Sequence, residues 1–345
     1  MSTGRETHVD RARPVQTWTR RAVVAACAVA TAVLLVAPSL TARADDASTE
    51  PAMVVTLLGT GTPALDPKRF SQSTLVQAGG LNLVFDAGRG SSIRLAQAGV
   101  NLGAIDGVFL THFHSDHVVG LADLWMTGYI PALGGRPGPL QLYGPTGTKH
   151  IGDGLMDTFS ADTSIREADE AVPPDSARIS SHEFDHDGVI LDRDGVQVTA
   201  FQVDHGDLIK PAYGYRVDYA GHSVLISGDT RYNQNVVRYG KGVDVLIHEV
   251  AAAPAALQGL PLFAPVLAHH TSPEDVGRVF AADKPKMAVY SHIVLIRTAA
   301  VPPIGLDELE ARTRATYDGP LTVGADLMRF EIGEEVTVVP PAAAP

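Results

Sequence analysis

Three histidines and an aspartate fall within six positions, in Thr111-His112-Phe113-His114-Ser115-Asp116-His117, directly after the apolar run Ile105–Leu110. Four ionisable groups at the end of a buried strand would repel one another or stay unsatisfied unless a cation lies between them. In an extended segment alternate side chains share a side, so His112 and His114 point one way while Asp116 and His117 can turn toward a second position. One motif thus supplies half-sites for two metals. The strand before it and a helix expected over Val118–Trp125 would hold that loop in place.

Hydrophobic patterning around the motif reads as alternating strands and helices. Short apolar or β-branched runs at Met53–Leu58, Thr74–Gln77 and Leu81–Phe85, separated by glycine-containing turns, predict successive strands. Helical spacing over Ser91–Ala98 predicts a crossover to Ile105–Leu110. Residues 160–187, polar and acidic with Pro173-Pro174, read as a surface excursion. Two hairpins follow, with strands near Val189–Leu191, Gln197–Val203, Ala212–Tyr219 and Ser223–Ser227. Val243–His248 and Met287–Ser291 are further strands, and Pro273–Ala282 a helix capped by Thr271 or Ser272. Two similar halves of strands and helices suggest an α/β fold of αββα type, two sheets packed together with helices outside.

The N-terminus stands apart. Arg11, Arg13, Arg20 and Arg21 precede an apolar run from Ala22 to Ala37, and Ala42-Arg43-Ala44 follows. That order predicts a signal peptide over 1–44, and with it a secreted or periplasmic protein that makes no lasting membrane contact. Thr19-Arg20-Arg21 also admits twin-arginine export. The segment carries six arginines and two acidic residues, so its removal takes the net charge from −12 to −16. Such an acidic chain is expected to repel a long polyanion. The single cysteine, Cys27, leaves with the segment, so metals must be held by imidazole and carboxylate. Residues 45–339 then form one hydrolase domain, and 340–345 a disordered tail. A homodimer is compatible with this organisation.

The cluster His112-x-His114-x-Asp116-His117 resembles the signature of the metallo-β-lactamase superfamily, a four-layer αββα sandwich. The resemblance extends to Val203-Asp204-His205-Gly206, Ser227-Gly228-Asp229-Thr230 and Ser291-His292. It implies two zinc ions. One would take His112, His114, His205 and Asp229, the other Asp116, His117, Asp229 and His292, with Asp229 bridging. Leu57-Leu58-Gly59-Thr60-Gly61-Thr62-Pro63 and Phe85-Asp86-Ala87-Gly88 look like the opening of the branch that holds tRNase Z and a group of zinc arylsulfatases. There Asp86 would buttress the histidine loop. Ala268-His269-His270-Thr271 resembles that branch's His-x-Thr loop. By that match His269 is the functional histidine and Glu249 its partner, with His248 and His270 structural. Asp116, His269 and Glu249 are thus the expected catalytic groups: Asp116 for the attacking water, His269 for the leaving oxygen.

Between the two kinds of enzyme, three features favour a small anionic ester, foremost an aryl sulfate, with phosphodiesters or lactones behind it. Only 23 residues separate His205 from Asp229, too few for a tRNA-gripping arm. The chain is acidic, and it carries an export segment. The expected partner is therefore a small molecule and not a nucleic acid. A zinc- or ligand-binding protein without turnover is the non-enzymatic alternative, which would need neither His269 nor Glu249. Trp125, Met126, Tyr129 and Ile130 read as pocket wall or core. Arg216 and Arg231 read as sulfuryl contacts or ion pairs, and His182 and His186 as surface groups.

Overall fold

A computed structural model describes residues 50–342. The leader expected at 1–44 lies outside these residues, as do positions 343–345 of the tail. No described helix is long and apolar enough to cross a membrane.

Among the described residues fifteen strands form two sheets. The first half of the chain contributes β1 (Met53–Gly59), β2 (Ser73–Ala78), β3 (Leu81–Phe85), β4 (Gly107–Phe109), β5 (Leu140–Pro145) and β6 (Ile179–Phe184). The second half adds β7 (Gly188–Arg193), β8 (Val196–Gln202), β9 (Tyr213–Tyr219), β10 (His222–Ile226), β11 (Val245–Ala252), β12 (Met287–Leu295) and β13 (Leu321–Val323). Strands β14 (Arg329–Ile332) and β15 (Val336–Val339) return to the first sheet, whose order is β15-β14-β1-β2-β3-β4-β5-β6. The second sheet runs β13-β12-β11-β10-β9-β8-β7. Each sheet joins an antiparallel meander to a parallel run, β3 to β6 in one and β10 to β13 in the other.

Alternation along the strands produces the layers. Inward-facing Val55, Phe85 and Phe109 of the first sheet pack against Val198, Tyr215, Val245 and Val289 of the second. On the outer faces, Leu95, Leu121 and Trp125 cover the first sheet, while Val276, Val279 and Phe280 cover the second. Burying each of these large apolar side chains contributes about 1.5–3 kcal/mol. The fold is the αββα sandwich of the metallo-β-lactamase proteins.

Three local expectations are corrected. Within 160–187 the chain forms a helix, Ser160–Asp169, and then edge strand β6, whose Ile-Ser-Ser-His-Glu-Phe sequence is polar because an edge strand is largely solvated. The helix expected over Val118–Trp125 is two pieces, Ser115–Val118 and Leu121–Gly128, so Asp116 and His117 sit in a helical turn instead of an extended loop. Strand β12 also does not stop at Ser291. Between the pairs His248–Tyr290 and Val250–Ile293 its register shifts, and His292 adopts φ 44° in that bulge. Bulges of this kind re-aim a side chain, and here the side chain is His292.

Candidate metal centre

The seven side chains expected as ligands converge at one end of the sandwich, beyond β4, β8 and β10 and at the β12 bulge. His112 Nε2 lies 3.0 Å from His114 Nδ1, which is 3.3 Å from His205 Nε2. Asp229 Oδ2 stands 3.9 and 3.6 Å from His112 Nε2 and His205 Nε2. The same oxygen is 3.3 Å from both His117 Nε2 and His292 Nε2. Asp116 Oδ2 completes the second group, 3.1 Å from His292 Nε2 and 3.6 Å from His117 Nε2. One carboxylate oxygen therefore faces both sets of donors.

These donors fit a pair of cations. His205 Nδ1 donates to the His269 carbonyl at 2.8 Å, and burial pushes the ring's pKa down to about 3, so its Nε2 presents a lone pair. Burial also holds His112 well below the ordinary histidine range. His117 Nδ1 donates to Asp86 Oδ2 at 2.7 Å, while its buried Nε2 has no hydrogen-bond partner. Burial opposes charge on His117, and the Asp229 and Asp86 carboxylates outweigh it, holding the ring well above its ordinary value. Lone pairs that close together need positive charge between them. Divalent ions bound by imidazole and carboxylate supply it.

Asp86 has the buttressing position expected of it. Its Oδ1 accepts the Thr111 N–H at 2.8 Å, and its Oδ2 takes the His117 contact. Such outer partners orient the ligands themselves.

Glu249, expected as the partner of His269, contacts His270 in the structure. Glu249 Oε2 lies 3.1 Å from Nδ1 of His270, and Glu249 Oε1 accepts the Thr271 N–H at 2.7 Å. Burial first, and then the Asp229 charge, push the Glu249 carboxyl well above the usual range. Burial lowers His270 to about 4. A His270 nitrogen lies within 4.8 Å of the ligand atoms of Asp229 and His292. His269 instead stacks half-exposed on His205, with ring centroids 4.9 Å apart. In a His-His doublet the sequence offers no way to choose, because the path of the loop decides which ring turns inward.

A cavity of about 400 Å³ opens over the two metal positions, lined by Thr62, Pro63 and Ala64 together with His114, Val294 and both His269 and His270. The loop after β1 carries the first three, of which Thr62 and Pro63 belong to the motif Leu57–Pro63 read in the sequence and Ala64 follows it. Trp125 and Tyr129 belong to the core, bonded to the Ala177 carbonyl and to Asp162. Met126 and Ile130 pack against that same core. Arg216 is bound to Asp218, and Arg231 to Asp204. His182 and His186 are surface groups beside Gln141 and Asp185.

Residues 82–293 match the family model for the Beta-lactamase superfamily domain. The chain is 33% identical over 283 residues to the Ribonuclease Z of Mycobacterium marinum (strain ATCC BAA-535 / M), covering 81% of this chain and 98% of that protein. Its structure resembles the metallo-beta-lactamase fold protein YhfI from Bacillus subtilis, with TM-score 0.62 and 17% identity over 80% of this chain and 98% of that one. It also resembles the short form of human tRNase Z, with TM-score 0.60 and 21% identity over 81% and 99% of the two chains.

The relatives overturn two expectations, an arylsulfatase-type ester hydrolase and a partner that is not a nucleic acid. They point to RNA. The match spans 98% of the mycobacterial ribonuclease Z while using 81% of this chain, so that relative has no room for a long arm missing here. Net charge was no better a guide. It sums over a whole surface, whereas a phosphodiester meets only the cations gathered in one cleft.

Proposed function

The chain belongs to the metallo-β-lactamase superfamily, in its tRNase Z-like branch, and is a metal-dependent hydrolase with a binuclear site; from that premise we propose that it cleaves phosphodiester bonds in RNA. The observation that carries this reading is the match along nearly the whole of a ribonuclease Z.

Zinc suits the donor set of five histidines and two aspartates: His112, His114 and His205 would hold one ion, Asp116, His117 and His292 the other, and Asp229 would serve both. When bound, the paired ions supply Lewis acidity and a nucleophile at neutral pH. The chain's own groups do the rest. The Asp116 carboxylate, 3.1 Å from His292, stands at the pocket floor to orient the attacking water. Asp86 and the His269 carbonyl keep the His117 and His205 rings turned so that Nε2 faces inward. Glu249 engages Nδ1 of His270, which leaves the other ring nitrogen to deliver a proton to the departing ribose oxygen. Thr271 Oγ1 donates to the Thr230 carbonyl, tying the His270 loop to the segment that carries Asp229.

Export remains part of the proposal. The arginine-flanked apolar run that ends at Ala42-Arg43-Ala44 supports a mature chain starting at Asp45, outside the cytoplasm.

The test is direct. Zinc-loaded protein should cut a structured RNA at internal phosphodiester bonds and leave nitrophenyl sulfate intact. Asp229→Ala, which removes the oxygen shared by both metal positions, should lose both ions and the activity. Metal-replete protein that cuts no RNA would overturn the reading.

A further inference from the structure

A second cavity, of about 290 Å³, adjoins the one over the metals. Thr62, Ala64 and Val294 line both, so the two are compartments of one groove. Strand β12 forms one wall of the second compartment as it runs out from His292 to Leu295 and on to Ile296 and Arg297. Phe263, which packs with the cluster holding Val294 and Ile296, also lines it, and Pro303 adds aliphatic surface.

The charge in this slot is unevenly committed. Arg69 lies half-buried with Nη1 donating to Thr60 Oγ1 at 2.7 Å and to the Gly324 carbonyl at 2.8 Å, and Asp326 and then Asp66 sit close enough to offset its charge. Arg231, beyond the metal site, is bound by Asp204 and Asp207. Arg297 is exposed at the slot, and among the described residues it has no acidic partner. On a chain of net charge −12 an arginine left unpaired beside a catalytic pocket is placed to meet an anion.

We propose that this slot is a nucleotide subsite. It would seat the residue next to the cleaved bond, with its base against the apolar surface that Phe263 and Ile296 present and its far phosphate on the Arg297 guanidinium. The proposal rests on the RNA reading above and adds to it a stated position for the flanking nucleotide. An apolar slot with one cation at its rim suits a base joined to a phosphate. It suits neither a bare sulfate, which would leave the walls unused, nor a purely apolar ligand, which would leave Arg297 unused.

Two measurements on the metal-loaded chain separate this proposal from the reading it rests on. Calorimetric titration with adenosine 3′,5′-bisphosphate needs no turnover. Arg297→Ala should weaken binding roughly tenfold, as loss of a hydrogen bond to a charged group does. Arg297→Lys should restore most of it, and Phe263→Ala should weaken binding several-fold through lost stacking. Equal affinities for wild type and Arg297→Ala overturn the subsite, whatever the enzyme cleaves. In the second measurement, turnover of a short RNA is compared with turnover of bis(p-nitrophenyl) phosphate, which carries no flanking nucleotide and so has no far phosphate to offer Arg297. Arg297→Ala should raise KM for RNA alone and reduce the log–log salt slope by about 0.7, the value for one phosphate contact on a single strand. An equal KM rise for both substrates would also overturn the subsite. A wild type that hydrolyses the small diester but no RNA would overturn the RNA reading instead, while the titration still decides the slot.

Discussion

Glu249 Oε2 and His270 Nδ1 lie 3.1 Å apart in a site where both side chains are largely withdrawn from solvent, and no comparable contact reaches His269. The pairing separates the two neighbouring histidines by role. His270→Ala should keep its metals and lose roughly 10²–10⁴-fold in kcat on RNA, the usual worth of a positioned proton donor. The loss should shrink on a nitrophenyl diester, whose leaving group departs without a proton. His269→Ala should cost far less on either substrate. Elemental analysis beside the two kinetic assays checks this, and a larger loss in His269→Ala would return the role to that residue.

Asp86 touches no metal position, yet its carboxylate fixes both Thr111 and His117. Asp86→Asn preserves shape but removes the charge that orients His117 Nδ1–H. Metal affinity should fall about 10–100-fold, as it does when an outer partner of a ligand is lost. Competition with a graded series of chelators measures it. Unchanged affinity would show that backbone geometry alone holds the ring.

Gly88 lies behind the second metal position. A Cβ there would come 2.3 Å from the Asp116 carbonyl oxygen and 2.6 Å from that of Gln72. Neither backbone can yield cheaply, so Gly88→Ala should destabilise the fold by about 1–3 kcal/mol, the range for forced overpacking. It should also loosen the metal on Asp116 and His117 more than the one on His112, His114 and His205. Denaturant melts paired with stepwise metal titration would show both effects. Wild-type stability would mean that the helical turn at Asp116 shifts freely.

Asp283 is buried at the end of the helix Pro273–Asp283 with neither carboxylate oxygen hydrogen-bonded. Burial raises its pKa to about 8. A carboxyl whose pKa rises on folding favours the native state while protonated, so its cost grows as pH climbs from about 4 toward 8. Asp283→Asn should therefore raise Tm at pH 8.5, with the gain shrinking toward pH 4. A Tm difference independent of pH would show that the side chain does not titrate with folding.

Much of this protein is legible in its sequence because its ligands stand where local patterns end. The apolar run before His112, the hairpin strands before His205 and Asp229, and the largely apolar stretch before His292 each mark a strand whose tip must lie near the others once the sheets stack. Periodicity is a property of neighbouring residues, so it survives in the sequence. What it could not supply were relations between distant segments. Edge strand β6 carries no apolar signal, since its partner lies on one side only. The bulge that aims His292 exists only in the pairing of β12 with β11. Whether Glu249 holds His269 or His270 depends on how the loop before Thr271 crosses that strand, anchored by the bond from the Ala251 N–H to the Thr271 carbonyl. The groove that runs from the metals to Arg297 joins the loop after β1 to the far end of β12. Contacts of that kind depend on three-dimensional packing between residues from about twenty to more than two hundred positions apart, and only the folded chain decides them.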